Sequence, residues 1–264
     1  MKRNTFAYCC LATTMLLFAS CVETLEVKPV CGTIDAPVAE DTLPKHVQQA
    51  MDKALKYHQY EIMSDTVNNV SVLCIAEADQ QPTEGYGITV VKNGTSTTFA
   101  SMRNTREPKA VFDSATGDLW LSTSAIEGTG VQVERLYKLR FSGDSAVVAA
   151  VIDPYSIQQI LCQRLGYTTE GEQITFYVDG KAATTAENTL EDMGGFDDDA
   201  VWIGENITYD LRDPQPRVCV TPGLKFVTGL VLFYDDMPTL TADVELTAEG
   251  NPELTSISFL AQQQ

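Results

Sequence analysis

The sequence predicts a mainly β chain with minor α content: an antiparallel β meander of sandwich, barrel-like or partial propeller-like form, with one N-terminal helix and one inserted helix. Three observations predict it. From Val70 onward, short runs rich in Val, Ile, Thr, Tyr and Phe alternate apolar and polar residues at the period of half-buried strands. Asn93-Gly94 lies between two such runs, and Asp179-Gly180 follows another; both dipeptides tolerate positive φ at the two central positions of a hairpin turn. Strand-like runs also follow one another with few helical periods between them, which argues against a parallel sheet of alternating β and α units.

In chain order, the first element is a leader. Lys2-Arg3 precede an apolar run from Leu11 to Leu17 and then Phe18-Ala19-Ser20-Cys21. A basic start, a short apolar middle and small residues before a cut make a secretory signal over residues 1–20, too short to stay in a membrane as a spanning helix. Leu17-Phe18-Ala19-Ser20-Cys21 resembles the lipobox of bacterial lipoproteins, which implies cleavage between Ser20 and Cys21 and a lipid on Cys21. Val22 rather than an aspartate follows, so the retention signal that holds some such proteins in the inner membrane is missing, and the outer membrane is the expected address where one exists.

Residues 21–43 hold Pro29, Gly32 and Pro37 among scattered acids, without an apolar period, and read as a flexible tether. Residues 44–264 read as one extracytoplasmic domain. It begins with Pro44 at a first helical position, near the capping candidates Asp41 and Thr42. Val47, Ala50, Met51, Ala54, Leu55 and His58 then recur at three- and four-residue steps and predict a helix over 44–62. Strands are expected at 70–76, 86–91, 97–102, 110–112, 119–123, 132–141 and 146–152. Asp153-Pro154 interrupts them with a capping acid and a first-turn proline. Ile157, Ile160, Leu161 and Leu165 then share a face before Gly166, which predicts the inserted helix over 154–165. Further strands are expected at 174–178, 201–203, 207–211, 217–221, 224–234, 241–247 and 256–260. The most continuous apolar one, Leu224 to Tyr234, is expected to be a central strand covered on both faces.

Composition limits function. The chain carries 18 basic and 36 acidic residues, a net charge of −18. Losing Lys2 and Arg3 with the leader leaves about −20, a surface that repels nucleic acid and anionic headgroups. The runs Asp197-Asp198-Asp199 and Asp235-Asp236 read as solvated loops. Of seven cysteines, Cys31, Cys74, Cys162 and Cys219 remain in an exported chain once the leader is lost and Cys21 is acylated. They are the disulfide candidates, and their spacing does not choose among three pairings.

Ile126-Glu127-Gly128-Thr129-Gly130-Val131-Gln132-Val133-Glu134-Arg135-Leu136-Tyr137-Lys138-Leu139 resembles the GTGV…E.LY segment of a poorly characterised bacterial extracytoplasmic β domain. The resemblance spans roughly residues 111–259. It implies a domain found in lipoproteins and beside membrane-embedded peptidase-like sensors, with no activity to transfer. Many such domains carry a calcium-type loop before the Gly-Thr-Gly segment. Here Asp113-Ser114-Ala115-Thr116-Gly117-Asp118 lacks the alternating carboxylates of that loop and reads as a hairpin turn.

Chemistry-bearing motifs are sparse. His46 and His58 are 12 residues apart and lack the i, i+4 spacing of a metal helix, and there is no Cys-x-x-Cys, so no metal or cofactor is expected. Glu127, Glu134, Asp153 and Glu205 fall near strand ends and are the candidates for a glycosidase-type carboxylate pair. Trp120, Trp202, Tyr137, Tyr155, Tyr177 and Tyr209 lie in or beside strands, with core packing their expected fate and a glycan platform the alternative. The expected function is that of a lipid-anchored envelope protein, a non-enzymatic binding or sensing module for a glycan, peptide or protein. An envelope hydrolase and a structural accessory of an envelope assembly are the competing classes.

Overall fold

The computed structural model describes residues 27–30, 57–77, 87–99, 102, 108–127, 131–170, 173–187, 196–202, 207–226, 231–232 and 237–260. They form nineteen strands and one helix, all strand pairs antiparallel. Five small sheets result, and none closes into a barrel among these residues.

Two sheets are plain four-stranded meanders. The first joins β2 (Tyr57–Asp65), β3 (Val70–Glu77), β4 (Gly87–Lys92) and β5 (Thr95–Phe99); the second joins β6 (Lys109–Phe112), β7 (Leu119–Glu127), β8 (Val131–Ser142) and β9 (Ser145–Ile152). Alternation gives the second sheet two buried faces. Leu119, Leu121 and Leu139 point one way and join Val70, Val72, Cys74, Ile88 and Val90 of the first sheet in one core cluster. Trp120, Leu136 and Ile152 point the other way, into a larger cluster shared with the rest of the chain. The second meander is therefore a central layer, stacked face to face as sandwich layers and propeller blades are.

The larger cluster is closed by the helix and three further sheets. Helix α1 (Pro154–Arg164) starts as its sequence dictates: the Asp153 carboxylate accepts the Ser156 backbone N–H at 3.0 Å, and Pro154 fills the first turn. Its C-terminal Arg164 donates from Nε and Nη2 to the Asp179 carboxylate at 2.9 and 2.6 Å, and from Nη1 to the Leu254 carbonyl at 2.7 Å. A third sheet runs in the order β1 (Lys28–Pro29), β10 (Leu165–Glu170), β11 (Gln173–Val178), β12 (Lys181–Glu187). A fourth joins β14 (Ile207–Asp210), β15 (Arg217–Val220), β18 (Leu240–Leu246) and β19 (Pro252–Phe259), with β14 packed against β8. A fifth, of β13 (Phe196–Trp202), β16 (Gly223–Phe226) and β17 (Val231–Leu232), contributes Val201 to the same core.

The mainly β, antiparallel architecture with an inserted helix is the one expected. Both hairpin dipeptides adopt left-handed backbone, Asn93 and Gly94 at φ 49° and 81°, Asp179 and Gly180 at 50° and 73°.

Four local expectations are corrected. The helix placed over 44–62 does not reach its predicted end: residues 57–62 lie in β2, paired along β3, with Tyr60, Ile62 and Met63 against the core, so tertiary pairing overrides a helical spacing. Residues 44–56, with His46, lie outside the described residues. The span 21–43 is entered by β1, which pairs Lys28 with Tyr167 and Pro29 with Gly166, and Val30 is fully buried. The segment 224–234 is not one strand; Leu224 pairs with Leu232 and Lys225 with Val231, so the chain folds back on itself. Asp197-Asp198-Asp199 lie within β13 rather than in a loop, whereas Asp235-Asp236 lie outside the described residues.

Candidate functional site

An open cleft of about 280 Å³ lies where the β6–β7 turn meets the fourth sheet. Asp113, Ala115, Trp120 and Lys138 line one side, and Pro214, Gln215, Val244, Glu245 and Leu246 the other. The turn Asp113–Asp118 holds itself: the Asp113 carboxylate accepts the Ala115 and Thr116 N–H groups at 3.0 and 3.1 Å and the Thr116 hydroxyl at 2.6 Å. Gly117 takes φ 74°, and its N–H reaches the Asp113 carbonyl at 2.8 Å. This is the hairpin that the Thr-Gly pair predicts. The far wall is tied to the turn because the Ser114 N–H donates to Asp213 Oδ1 at 2.8 Å. Gln215 Nε2 in turn donates to the Val244 carbonyl at 3.2 Å.

At the base of the cleft, Lys138 Nζ sits 3.4 Å from Asp113 Oδ2, 3.4 Å from Asp118 Oδ2 and 4.9 Å from the Trp120 ring centre. All three charged side chains are mostly buried, at 12, 4 and 8% exposure for Lys138, Asp113 and Asp118. Cross-strand register explains the assembly: Lys138 pairs with Trp120, one residue beyond Leu119, whose partner is Leu139. Burial raises the Asp113 carboxyl, but the Thr116 hydroxyl, the Thr116 and Ala115 N–H groups and Lys138 outweigh it and hold the group below the usual carboxylate range. The Trp120 indole N–H is buried and finds no hydrogen-bond partner among the described residues.

The carboxylates singled out from sequence are dispersed. Glu134 is hydrogen-bonded by the Ser122 hydroxyl and by the Tyr209 N–H, the latter at 3.4 Å, and Asp153 caps α1. Burial pushes the Tyr209 phenol far up, and the Glu134 and Asp153 charges add to the shift. The phenol oxygen finds no partner among the described residues. The Glu127 side chain and Glu205 lie outside the described residues, as do the side chains of His58 and Trp202. Trp120 and Tyr209 are core residues, 3 and 1% exposed, and Tyr137 packs on the core between the first two meanders; Tyr155 and Tyr177 are half-buried.

Cys74 and Cys219 are free thiols, and burial raises both. Cys162 is disulfide-bonded, so its partner lies outside the described residues. No group of three or more metal-ligating side chains occurs among the described residues, and no described helix is long and apolar enough to cross a membrane.

No family model matches this chain, and no curated protein does. Among solved structures, a GH43_12 retrieved from capybara gut metagenome aligns over 77% of this chain at 10% identity and a TM-score of 0.29, and this chain spans 31% of its length. A putative oxidoreductase (glucose dehydrogenase) from Thermus thermophilus aligns over 90% of this chain and 88% of its own, at 11% identity and a TM-score of 0.19. Likenesses this distant carry no argument about fold or chemistry.

The residue that sequence reasoning missed is Lys138. Its only sequence signal is a lysine between Tyr137 and Leu139 in a strand that also carries Glu134, Arg135 and Arg140, and its partners lie 20 and 25 residues away.

Proposed function

We propose that the chain is a lipid-anchored cell-envelope protein whose β domain binds a ligand or partner rather than transforming one. The anchoring half rests on the leader and on Leu17-Phe18-Ala19-Ser20-Cys21, with acylation at Cys21. The binding half rests on one observation, the Asp113–Lys138–Asp118 cluster under the cleft. A glycosidase general acid needs a carboxyl raised toward neutrality. Asp113 is shifted the other way and is committed to its turn and to Lys138. Such a cluster suits a rigid floor beneath a contact surface. The cleft is near the lower size limit of small-molecule sites, which favours a short or partly inserted ligand such as a sugar unit or a peptide side chain.

The test is a glycan array and a pull-down with the mature protein, each run in parallel with Glu245→Lys in the cleft wall. The proposal expects a micromolar or tighter ligand whose capture the substitution weakens. Turnover of a glycan that is abolished by Asp113→Asn would instead establish the hydrolase reading.

A further inference from the structure

The place where the chain enters its fold limits how far the domain can sit from a membrane if Cys21 is lipidated. Val27 is described, and Lys28 and Pro29 are paired with Tyr167 and Gly166. Val30 is fully buried in the larger core. The fit at this edge is close: a Cβ on Gly166 would come within 2.5 Å of Val27 Cγ1 and 3.0 Å of the Lys28 carbonyl. The fold therefore grips the chain six residues after Cys21. Six residues span at most about 20 Å whatever their conformation. A tether running to residue 43 would have let the domain roam far from the bilayer; this one does not.

Direction follows from register. Because β1 runs antiparallel to β10, its N-terminal end at Val27 lies toward the Thr168–Glu170 end of β10, where β10 and β11 join at the Glu170–Gln173 pair. The opposite end of that sheet carries the Asp179-Gly180 turn and the C-terminus of α1. Five residue steps along β10 put the two ends about 17 Å apart.

Resting on the lipid-anchor reading above, we infer that the domain docks on the membrane surface through the Val27, Thr169, Glu170 and Gln173 end of the third sheet, with the Asp179-Gly180 turn directed away. Val27 is 44% exposed at the exit point and offers an apolar contact to the headgroup boundary. Glu170 is exposed at the same end of β10, so the favoured surface is zwitterionic, not anionic.

The experiment uses the full-length, processed protein in phosphatidylcholine vesicles, with a fluorophore on Thr169→Cys or on Lys181→Cys and a quencher carried on lipid headgroups. Intact mass of the same samples reports acylation of Cys21. With acylation present, the Thr169→Cys probe is expected to be quenched several-fold more than the Lys181→Cys probe. Inserting twenty Gly/Ser residues after Glu23 should erase most of that difference. Equal quenching, or stronger quenching at Lys181→Cys, in an acylated sample overturns the orientation. A sample that lacks acylation overturns the anchor reading itself, and the docking inference falls with it.

Discussion

Replacing Lys138 with methionine removes the cation shared by Asp113 and Asp118 and leaves two carboxylates with 4 and 8% exposure facing each other at the base of the cleft. Breaking a buried ion pair by deleting one partner costs about 3–5 kcal/mol, because the remaining charge stays desolvated. Asp113 keeps its turn hydrogen bonds and Arg140 Nε still lies 3.8 Å from Asp118, so the lower end, about 3 kcal/mol at pH 7, is expected. For a domain of this size that corresponds to a fall in Tm of roughly 6–12 °C. The pH dependence gives a sharper signature. In the native chain the Asp113 carboxyl is held below its unfolded value, so its contribution is present above the unfolded pKa of 3.8 and is lost as pH falls through the lower folded one. Without Lys138 the turn hydrogen bonds to Asp113 remain but one lowering charge is lost, so the folded Asp113 carboxyl moves up toward its unfolded value and its contribution at neutral pH shrinks. Thermal melts followed by tryptophan fluorescence should therefore show Lys138→Met losing less stability than the native protein as pH falls from about 5 to about 3. Replacing all three side chains at once (Lys138→Met, Asp113→Asn, Asp118→Asn) should recover much of the loss. A Tm drop under 2 °C for Lys138→Met at pH 7, or an acid dependence identical to that of the native protein, refutes the buried-cluster reasoning.

Three other outcomes are expected. Tyr209→Phe removes a buried hydroxyl without a described partner and should be neutral or stabilising by about 1 kcal/mol in urea unfolding; a loss above that would reveal a hidden partner. Gly166→Ala crowds Val27 Cγ1 and the Lys28 carbonyl, so β1 must shift on β10 at a cost of about 1–3 kcal/mol, with faster proteolysis near residue 27; unchanged stability would show that the edge yields freely. Peptide mapping without reduction should recover Cys162 linked to Cys31, the remaining candidate once the leader is gone and Cys21 acylated, and free thiols at Cys74 and Cys219; an alkylatable Cys31 in mature protein refutes that pairing.

What the sequence reveals of this molecule is what local chemistry controls. Asn93-Gly94, Asp179-Gly180 and Asp153-Pro154 specify their turns and cap within four residues, and the structure follows each one. The β2 segment illustrates the limit: His58 shares the helical spacing of the residues before it, yet pairing along β3 decides its backbone. Gly166 shows a second kind. As a helix stop it is legible, but Leu165 is the extended cap, and the glycine's role is to admit β1, which comes from 137 residues away. Of the cleft, the Asp113–Asp118 turn was readable and the Lys138 bridge was not, because long-range ion pairs leave no periodic trace. The carboxylates flagged by their position near strand ends, Glu134 and Asp153, turned out to serve Ser122, Tyr209 and the helix cap.

We propose that this β domain works at a membrane through a lipid on Cys21. Expression of the native chain and of Cys21→Ala, followed by membrane fractionation with and without detergent and intact mass of the products, tests it most directly. The native protein is expected to lose residues 1–20, gain acyl mass on Cys21 and pellet with membranes until detergent releases it, while Cys21→Ala is recovered without acyl mass in the soluble fraction. A native protein without acyl mass, or a Cys21→Ala protein that still requires detergent for release, would contradict it.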